Sequence, residues 1–199
     1  TASQRSPHLR SKLHIVICST RPGRVGPTVA RWFHEVALQH DQFDVDLVDL
    51  AEFNLPLFDE PKHPRLQQYQ HEHTKRWAAS VNAADAFVFV TPEYNHGPPP
   101  SLLNALNYVY LEWNYKPAGF VSYGGISGGM RAAQIEKLTL TTLKVVPITE
   151  SVVVPMVSQH LEGGAFKPSN IQSDAAVAML NELARWAECL KPMRNHSAK

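Results

Sequence analysis

The sequence predicts an α/β protein, with a five-stranded parallel sheet covered by helices on both faces. Three observations carry that expectation. Short apolar runs alternate strictly with segments of helical periodicity along the 199 residues. Most of these runs are apolar throughout, the pattern of strands buried on both sides. There is no internal repeat and no linker long enough to separate two domains, so one domain is expected over 12–192. A disordered arm (1–11) is expected before it and a tail (193–199) after it.

The run "KLHIVICS" (12–19) is rich in β-branched residues and leads into "TRPGRVGP", so it reads as a buried strand followed by a loop. In "TVARWFHEVALQH" (28–40), Val29, Trp32, Phe33, Val36 and Ala37 recur at helical spacing. "DVDLVDL" (44–50) alternates Val45 and Leu47 with their neighbours, as a strand near the sheet edge does. "AEFNLPLFDEPKHPRLQQYQ" holds three prolines and reads as a long irregular connection. A helix over 73–84 precedes "DAFVFVT" (85–91), the most apolar strand. A helix over 101–111 then leads to "KPAGFVSYGGISGG", a strand entering a glycine-rich turn. A helix over 130–146, a strand over 147–155 and a helix over 173–190 complete the order, with Ser173 or Asp174 as the last cap.

Composition narrows the function classes. The formal charge is +1, which indicates neither a nucleic-acid footprint nor an acidic electron-carrier surface. No apolar run reaches the roughly 18 residues that cross a bilayer. The polar beginning "TASQRSPHLRSK" lacks the apolar core of a signal peptide. Two cysteines, Cys18 and Cys189, without CxxC spacing, suit buried thiols in a reducing compartment. A cytoplasmic location is therefore expected.

The unusual loops all leave strand C-termini, and right-handed crossovers bring such loops to one rim, where α/β sheets bind ligands. The first places Ser19, Thr20, Arg21 and Arg24 just ahead of a helix. Two cations beside the positive end of a helix dipole suggest a phosphate pocket, favoured over a solvated polar loop. Neither GxxxxGK[ST] nor GxGxxG is present. In the second, "TPEYNHGPPP", Gly97 is expected to supply an unusual backbone conformation, Tyr94 a flat face and Asn95 polar contacts. That suits a planar heteroaromatic ring, and equally a proline-rich turn around a buried tyrosine. In the third, Gly124, Gly125, Gly128 and Gly129 permit close main-chain approach to a ligand, or simply a tight turn. Arg131, in the next helical turn, calls for an anion or an acidic neighbour.

Together, "STRPGRVGP", "TPEYNHG" and "VSYGGISGG" resemble the NADPH-dependent FMN reductase family, in its quinone-reductase and azoreductase branch. The resemblance covers roughly residues 13–155. It implies a flavodoxin-like fold of strand order 2-1-3-4-5 with FMN at the switch point. It also implies that Ser19, Arg21, Arg24, the Val25 amide and Gly26 hold the phosphate. Pro92, Glu93, Tyr94, Asn95 and Gly97 would line the ring, with Tyr123, Gly124 and Gly125 on its other edge. His96 and Trp113 are candidates for the substrate face. NADPH or NADH would donate hydride and a quinone-, flavin- or azo-type acceptor would receive two electrons, with no side chain as obligatory acid or base. The amides of Gly124 and Gly125 are candidates to stabilise negative charge on the reduced ring. A homodimer with flavin sites at its interface is implied. Leu103 and Asn107 stand where relatives often carry a lysine and an aspartate.

Other chemistries find less support. The ten histidines are dispersed. HExxH is absent, and His71 and His73, two apart, are expected on different helical faces, so no metal is expected. "GISGG" around Ser127 lacks the GxSxG geometry of a hydrolase elbow. The alternative from another class is a non-enzymatic FMN-binding electron carrier or redox sensor, which turnover of NADPH with a quinone would separate from an enzyme.

Overall fold

A computed structural model describes residues 10–194. Its elements are β1 (Ser11–Ile17), α1 (Gly26–His40), β2 (Phe43–Asp49), α2 (Leu50–Phe53), α3 (Glu72–Ala83), β3 (Ala86–Pro92), α4 (Pro100–Tyr108), β4 (Pro117–Tyr123), α5 (Met130–Thr142), β5 (Val146–Val154), β6 (Leu161–Glu162), β7 (Ala165–Phe166) and α6 (Asn170–Arg194). The five main strands pair in parallel in the order β2-β1-β3-β4-β5, as the resemblance implies.

The sheet separates two apolar layers. Ile15, Ile17, Val88, Val90 and Val121 face α1 and α6, meeting Phe33, Met179 and Leu183. Val16, Phe87, Phe89 and Phe120 face the other side and meet Trp77, Leu102, Leu106 and Leu140. β3 and β4 are buried at every residue because helices cover both of their faces. In the edge strand β2, Phe43 and Val48 are buried while Leu47 is exposed, so the expected role of Leu47 passes to Val48.

Several boundaries differ from expectation for identifiable reasons. α6 begins at Asn170, ahead of the expected Ser173 or Asp174. Ser169 and Gln172 form a reciprocal cap: the Gln172 N–H donates to Ser169 Oγ at 3.3 Å, and the Ser169 N–H donates to Gln172 Oε1 at 2.9 Å. α5 stops at Thr142, with Lys144 in the left-handed region, so β5 starts one residue early. The hairpin β6–β7 was not expected. Gly163 and Gly164 turn it with φ of 58° and 79°, and it sets Phe166 against Trp32, ring centroids 4.9 Å apart. The expected arm and tail lie largely outside the described residues. Ser11 already belongs to β1, Arg10 pairs with Asp41, and Arg194 closes α6 on Asp85 at 2.5 Å.

Candidate cofactor site

The loops after β1, β3 and β4 meet at the C-terminal rim and are joined by side-chain bonds. The first begins where the Cys18 N–H extends the β1–β3 pairing onto Val90 at 3.1 Å. Ser19, fully buried, shares a 2.6 Å hydrogen bond with Tyr94 Oη and accepts the Arg21 N–H at 3.3 Å. Its hydroxyl thus ties the first loop to the second. Arg24 is bound to Asp49 at the end of β2, whose other carboxylate oxygen caps α2 through the Ala51 N–H. Arg21 is exposed, and its guanidinium has no bonded partner among the described residues. α1 opens without a side-chain cap at Val25 and without an acidic residue in its first turn. An uncapped helix terminus beside an uncommitted arginine is a ready anion site.

The second loop is a tight turn. Tyr94 and Gly97 exchange both main-chain hydrogen bonds, at 2.9 and 3.0 Å, and the intervening Asn95 and His96 have φ of 50° and 68°. The left-handed residues are therefore Asn95 and His96, not Gly97, and this corrects the expectation for Gly97. A Cβ on Gly97 would meet only the Tyr94 carbonyl, at 3.6 Å. Asn95 and His96 stand exposed at the tip, while Pro92 is buried at the strand end.

Glu93 joins the second loop to the third. It accepts from Ser127 Oγ at 2.8 Å, from the Arg131 main-chain N–H at 3.2 Å and from its guanidinium at 2.9 Å. Arg131 thus finds an acidic neighbour. Burial opposes the charge on Glu93, but the bonds from Ser127 and Arg131 outweigh it and hold its carboxyl below the usual range.

The glycines of the third loop divide by cause. Gly128 and Gly129 have φ of 60° and 82°, and a Cβ on either would overlap β4 or β5 atoms at under 3.0 Å. They serve the turn. Gly125 is exposed and open, with nothing within 4 Å of an added Cβ. Of the two amides expected to stabilise ring charge, that of Gly124 is already donated to the Val154 carbonyl at 3.3 Å. The Gly125 amide has no acceptor among the described bonds.

Two expected site residues are elsewhere. The Tyr123 side chain is buried in the layer facing α1, and its hydroxyl lies under Gly26, where a Cβ would come within 2.8 Å of it. Burial pushes this phenol up. Strand alternation sends it inward, so only its main chain can border a ring. Trp113 is fully buried between Trp77, Phe87 and Phe89, between α4 and β4 and therefore toward the N-terminal ends of the strands, away from the three loops. It does not line the substrate face. The histidine expectation also needs correction. His71 is the extended N-cap of α3, outside the helical turn, so its ring stacks on that of His73 at 5.0 Å. Both Nε2 atoms approach Asp59, at 3.8 and 3.0 Å. Among the described residues, no group of three or more His, Cys, Asp or Glu is placed to hold a metal.

Sequence reasoning missed Asp49 as the partner of Arg24 and did not find the clasp of Glu93 with Ser127. The only signal for Asp49 was a polar residue closing a strand. Beside the rim, a cavity of ≈ 460 Å³ runs between Thr20, Asn54, Leu55 and the first turn of α4 at Pro100 and Ser101. It meets the loops at Thr20 of the first and Pro100, the last residue of the second.

A doubly wound parallel sheet with an anion-ready helix terminus at its switch point defines a flavodoxin-like, cofactor-binding α/β protein. The chain belongs to the NADPH-dependent FMN reductase family, which matches residues 11–159, and it is an oxidoreductase of that family. It is 38% identical over 158 residues to an NAD(P)H-dependent FMN reductase of Schizosaccharomyces pombe, covering 78% of this chain and 79% of that one. It is 30% identical to an NADPH azoreductase of a Bacillus species (76% and 81% covered) and to a quinone reductase of Pseudomonas putida (65% and 69%). In fold it is similar to the flavoenzyme NAD(P)H:(acceptor) oxidoreductase FerB of Paracoccus denitrificans. The TM-score is 0.71 at 17% identity, with 90% of this chain and 98% of that one covered. Among the described residues, no helix is long and apolar enough to cross a membrane.

Proposed function

We propose that the three joined loops hold FMN and that the protein passes two electrons from NADPH or NADH to a quinone-, flavin- or azo-type acceptor on the open side of the ring. The observation that carries this reading is the uncommitted Arg21 beside the uncapped start of α1, on a rim clasped by Ser19–Tyr94 and Glu93–Arg131. The names of the family and of the relatives point the same way.

The residues present fit the cofactor. Arg21, with the Val25 and Gly26 end of α1, offers positive charge to a phosphate. Pro92, Tyr94 and Asn95 form one border of the ring site. Gly125, with the main chain of Tyr123 and Gly124, forms the other. When bound, FMN supplies the hydride chemistry. The protein holds donor and acceptor against one face, and the Gly125 amide stands ready for negative charge on the ring. Arg24 acts through Asp49, holding the first loop against β2. His96, at the exposed tip of the second loop, is the side chain we assign to incoming substrates.

We infer a homodimer. The family resemblance carries this inference; exposed Leu57, Phe58, Leu111 and Leu138, on and beside α4 and α5, are apolar side chains that a partner would cover. Cys18 is buried as expected, whereas Cys189 is exposed on α6; both are free thiols, which supports a cytoplasmic setting. The test is to incubate purified protein with FMN, then record its visible spectrum, sedimentation and quinone-dependent oxidation of NADPH and NADH. Bound flavin, a dimer and turnover are expected. Protein that stays colourless overturns the cofactor reading, and bound flavin without turnover leaves the sensor reading in its place.

A further inference from the structure

Beneath the second loop lies an acid that the rim does not use. Glu136, in the second turn of α5, is fully buried against the C-terminal end of β3. Thr91 Oγ1 donates to its Oε1 at 2.8 Å, while its buried Oε2 has no partner among the described residues. Among the described residues, the surroundings provide no cation. α4 and β4 carry no Asp, Glu, His, Lys or Arg. Cys18, the residue just after β1, brings its thiol to this end, while Lys12 and His14 of β1 lie toward the other. β3 brings Thr91 and then Glu93, already clasped by Arg131, and β5 carries Glu150, partly exposed. On α5, Arg131 is held by Glu93 and Lys137 is partly exposed.

A carboxylate without a cation in such a place is costly, so the neutral acid is the stable form. Burial pushes the Glu136 carboxyl up to about 8, against a smaller opposing pull from the Thr91 bond. Thr91 directly precedes Pro92, the first residue of the loop assigned to the ring. Glu136 therefore sits one side chain below the cofactor position.

We propose that Glu136 is a proton-linked residue acting through the second loop: it ionises in the oxidised protein at alkaline pH and takes up a proton when electrons arrive at the rim above it. This rests on the assignment of FMN to that rim. Negative charge gained by the ring repels a carboxylate held beneath it in a poorly screened interior. Hydride from NADPH or NADH brings two electrons and one proton to the cofactor, and Glu136 takes a further proton from solvent. When the acceptor removes the two electrons, Glu136 returns that proton. It touches no reacting atom and is a positioning residue, setting the potential and its pH dependence.

The experiment measures the midpoint potential of the flavin-loaded protein against pH by spectroelectrochemistry, with infrared titration of the apoprotein carboxyls alongside. In the wild type the slope should steepen about twofold above pH about 8. Glu136→Gln should keep the shallower slope, and Thr91→Val, which removes the donor to the carboxylate, should move the break to higher pH. In the apoprotein, a protonated-carboxyl band should be lost around the same pH and be absent from Glu136→Gln. Normal flavin binding with equal slopes in wild type and Glu136→Gln overturns this inference alone. Failure to bind FMN overturns the cofactor reading, and this inference with it, even if the apoprotein titration finds the acid as described.

Discussion

The two kinds of glycine in the third loop give a paired prediction whose halves should separate. Gly129 has φ of 82°, and its missing Cβ would lie 2.7 Å from the Tyr123 nitrogen and 2.9 Å from both Ser122 Cβ and the Tyr123 oxygen. For Gly129→Ala, the left-handed backbone costs about 1–2 kcal/mol. Moving strand main chain to relieve the overlap adds about 1–3 kcal/mol. The total is about 3 kcal/mol, and at about 2–4 °C per kcal/mol for a domain this size, Tm should fall by about 6–12 °C. Gly125→Ala meets no atom within 4 Å and requires no left-handed backbone, so stability should stay within about 0.5 kcal/mol. Its methyl enters the space assigned to the ring, and FMN affinity should drop at least tenfold, about 1.4 kcal/mol. Thermal unfolding of the apoproteins by circular dichroism and FMN titration by fluorescence quenching read the two effects. If Gly129→Ala melts within 2 °C (about 1 kcal/mol or less) of the wild type, the packing argument fails. If Gly125→Ala binds FMN like the wild type, the third loop does not border the ring.

The arginines of the first loop should also separate. Arg21→Ala should weaken FMN binding tenfold or more at unchanged stability, whereas Arg24→Ala leaves Asp49 without its partner and should cost about 2 kcal/mol by denaturant unfolding. Equal effects would dissolve the distinction. Lys116, buried with its Nζ on the Val81 and Asn82 carbonyls, has its amine lowered by burial to about 7. Between that value and the ordinary 10.5 the unfolded chain binds more protons, so stability should rise as pH climbs from about 7 toward 10. Lys116→Met should flatten this rise and stabilise the protein at pH about 6 by about 1 kcal/mol; an unchanged pH profile argues against a depressed amine. Trp113→Ala should cost about 3–5 kcal/mol through the cavity it leaves. A selective change in acceptor KM without loss of Tm would return Trp113 to the substrate face.

The sheet was legible because its strands are local and long enough for their composition to speak. "DAFVFVT" and "KPAGFVSY" read as doubly buried strands, and β3 and β4 are those strands. Elements that depend on a partner were harder. The hairpin at 161–166 is two residues a side and exists because Phe166 packs on Trp32, a contact that no window around 166 contains. The start of α6 was readable in Ser169 and Gln172, since a capping box is a spacing of three, but Ser173 and Asp174 offered a competing cap.

Taken alone, the sequence determined the alternation of elements, a parallel sheet covered on both faces and the three loops that leave its strand ends, because periodicity is a property of neighbours in the chain; the strand order came from the family resemblance. Tertiary structure decided which side chains remain available there. Arg21 and Arg24 are two cations three apart in one loop, and only the approach of β2 commits Arg24 to Asp49, while Arg21 has no bonded side-chain partner among the described residues. Likewise, only the meeting of β3 with α5 gives Glu93 its clasp and leaves Glu136 a buried acid with one oxygen unpaired. Charge pairing and burial arise between segments distant along the chain, and no local pattern encodes which partner arrives.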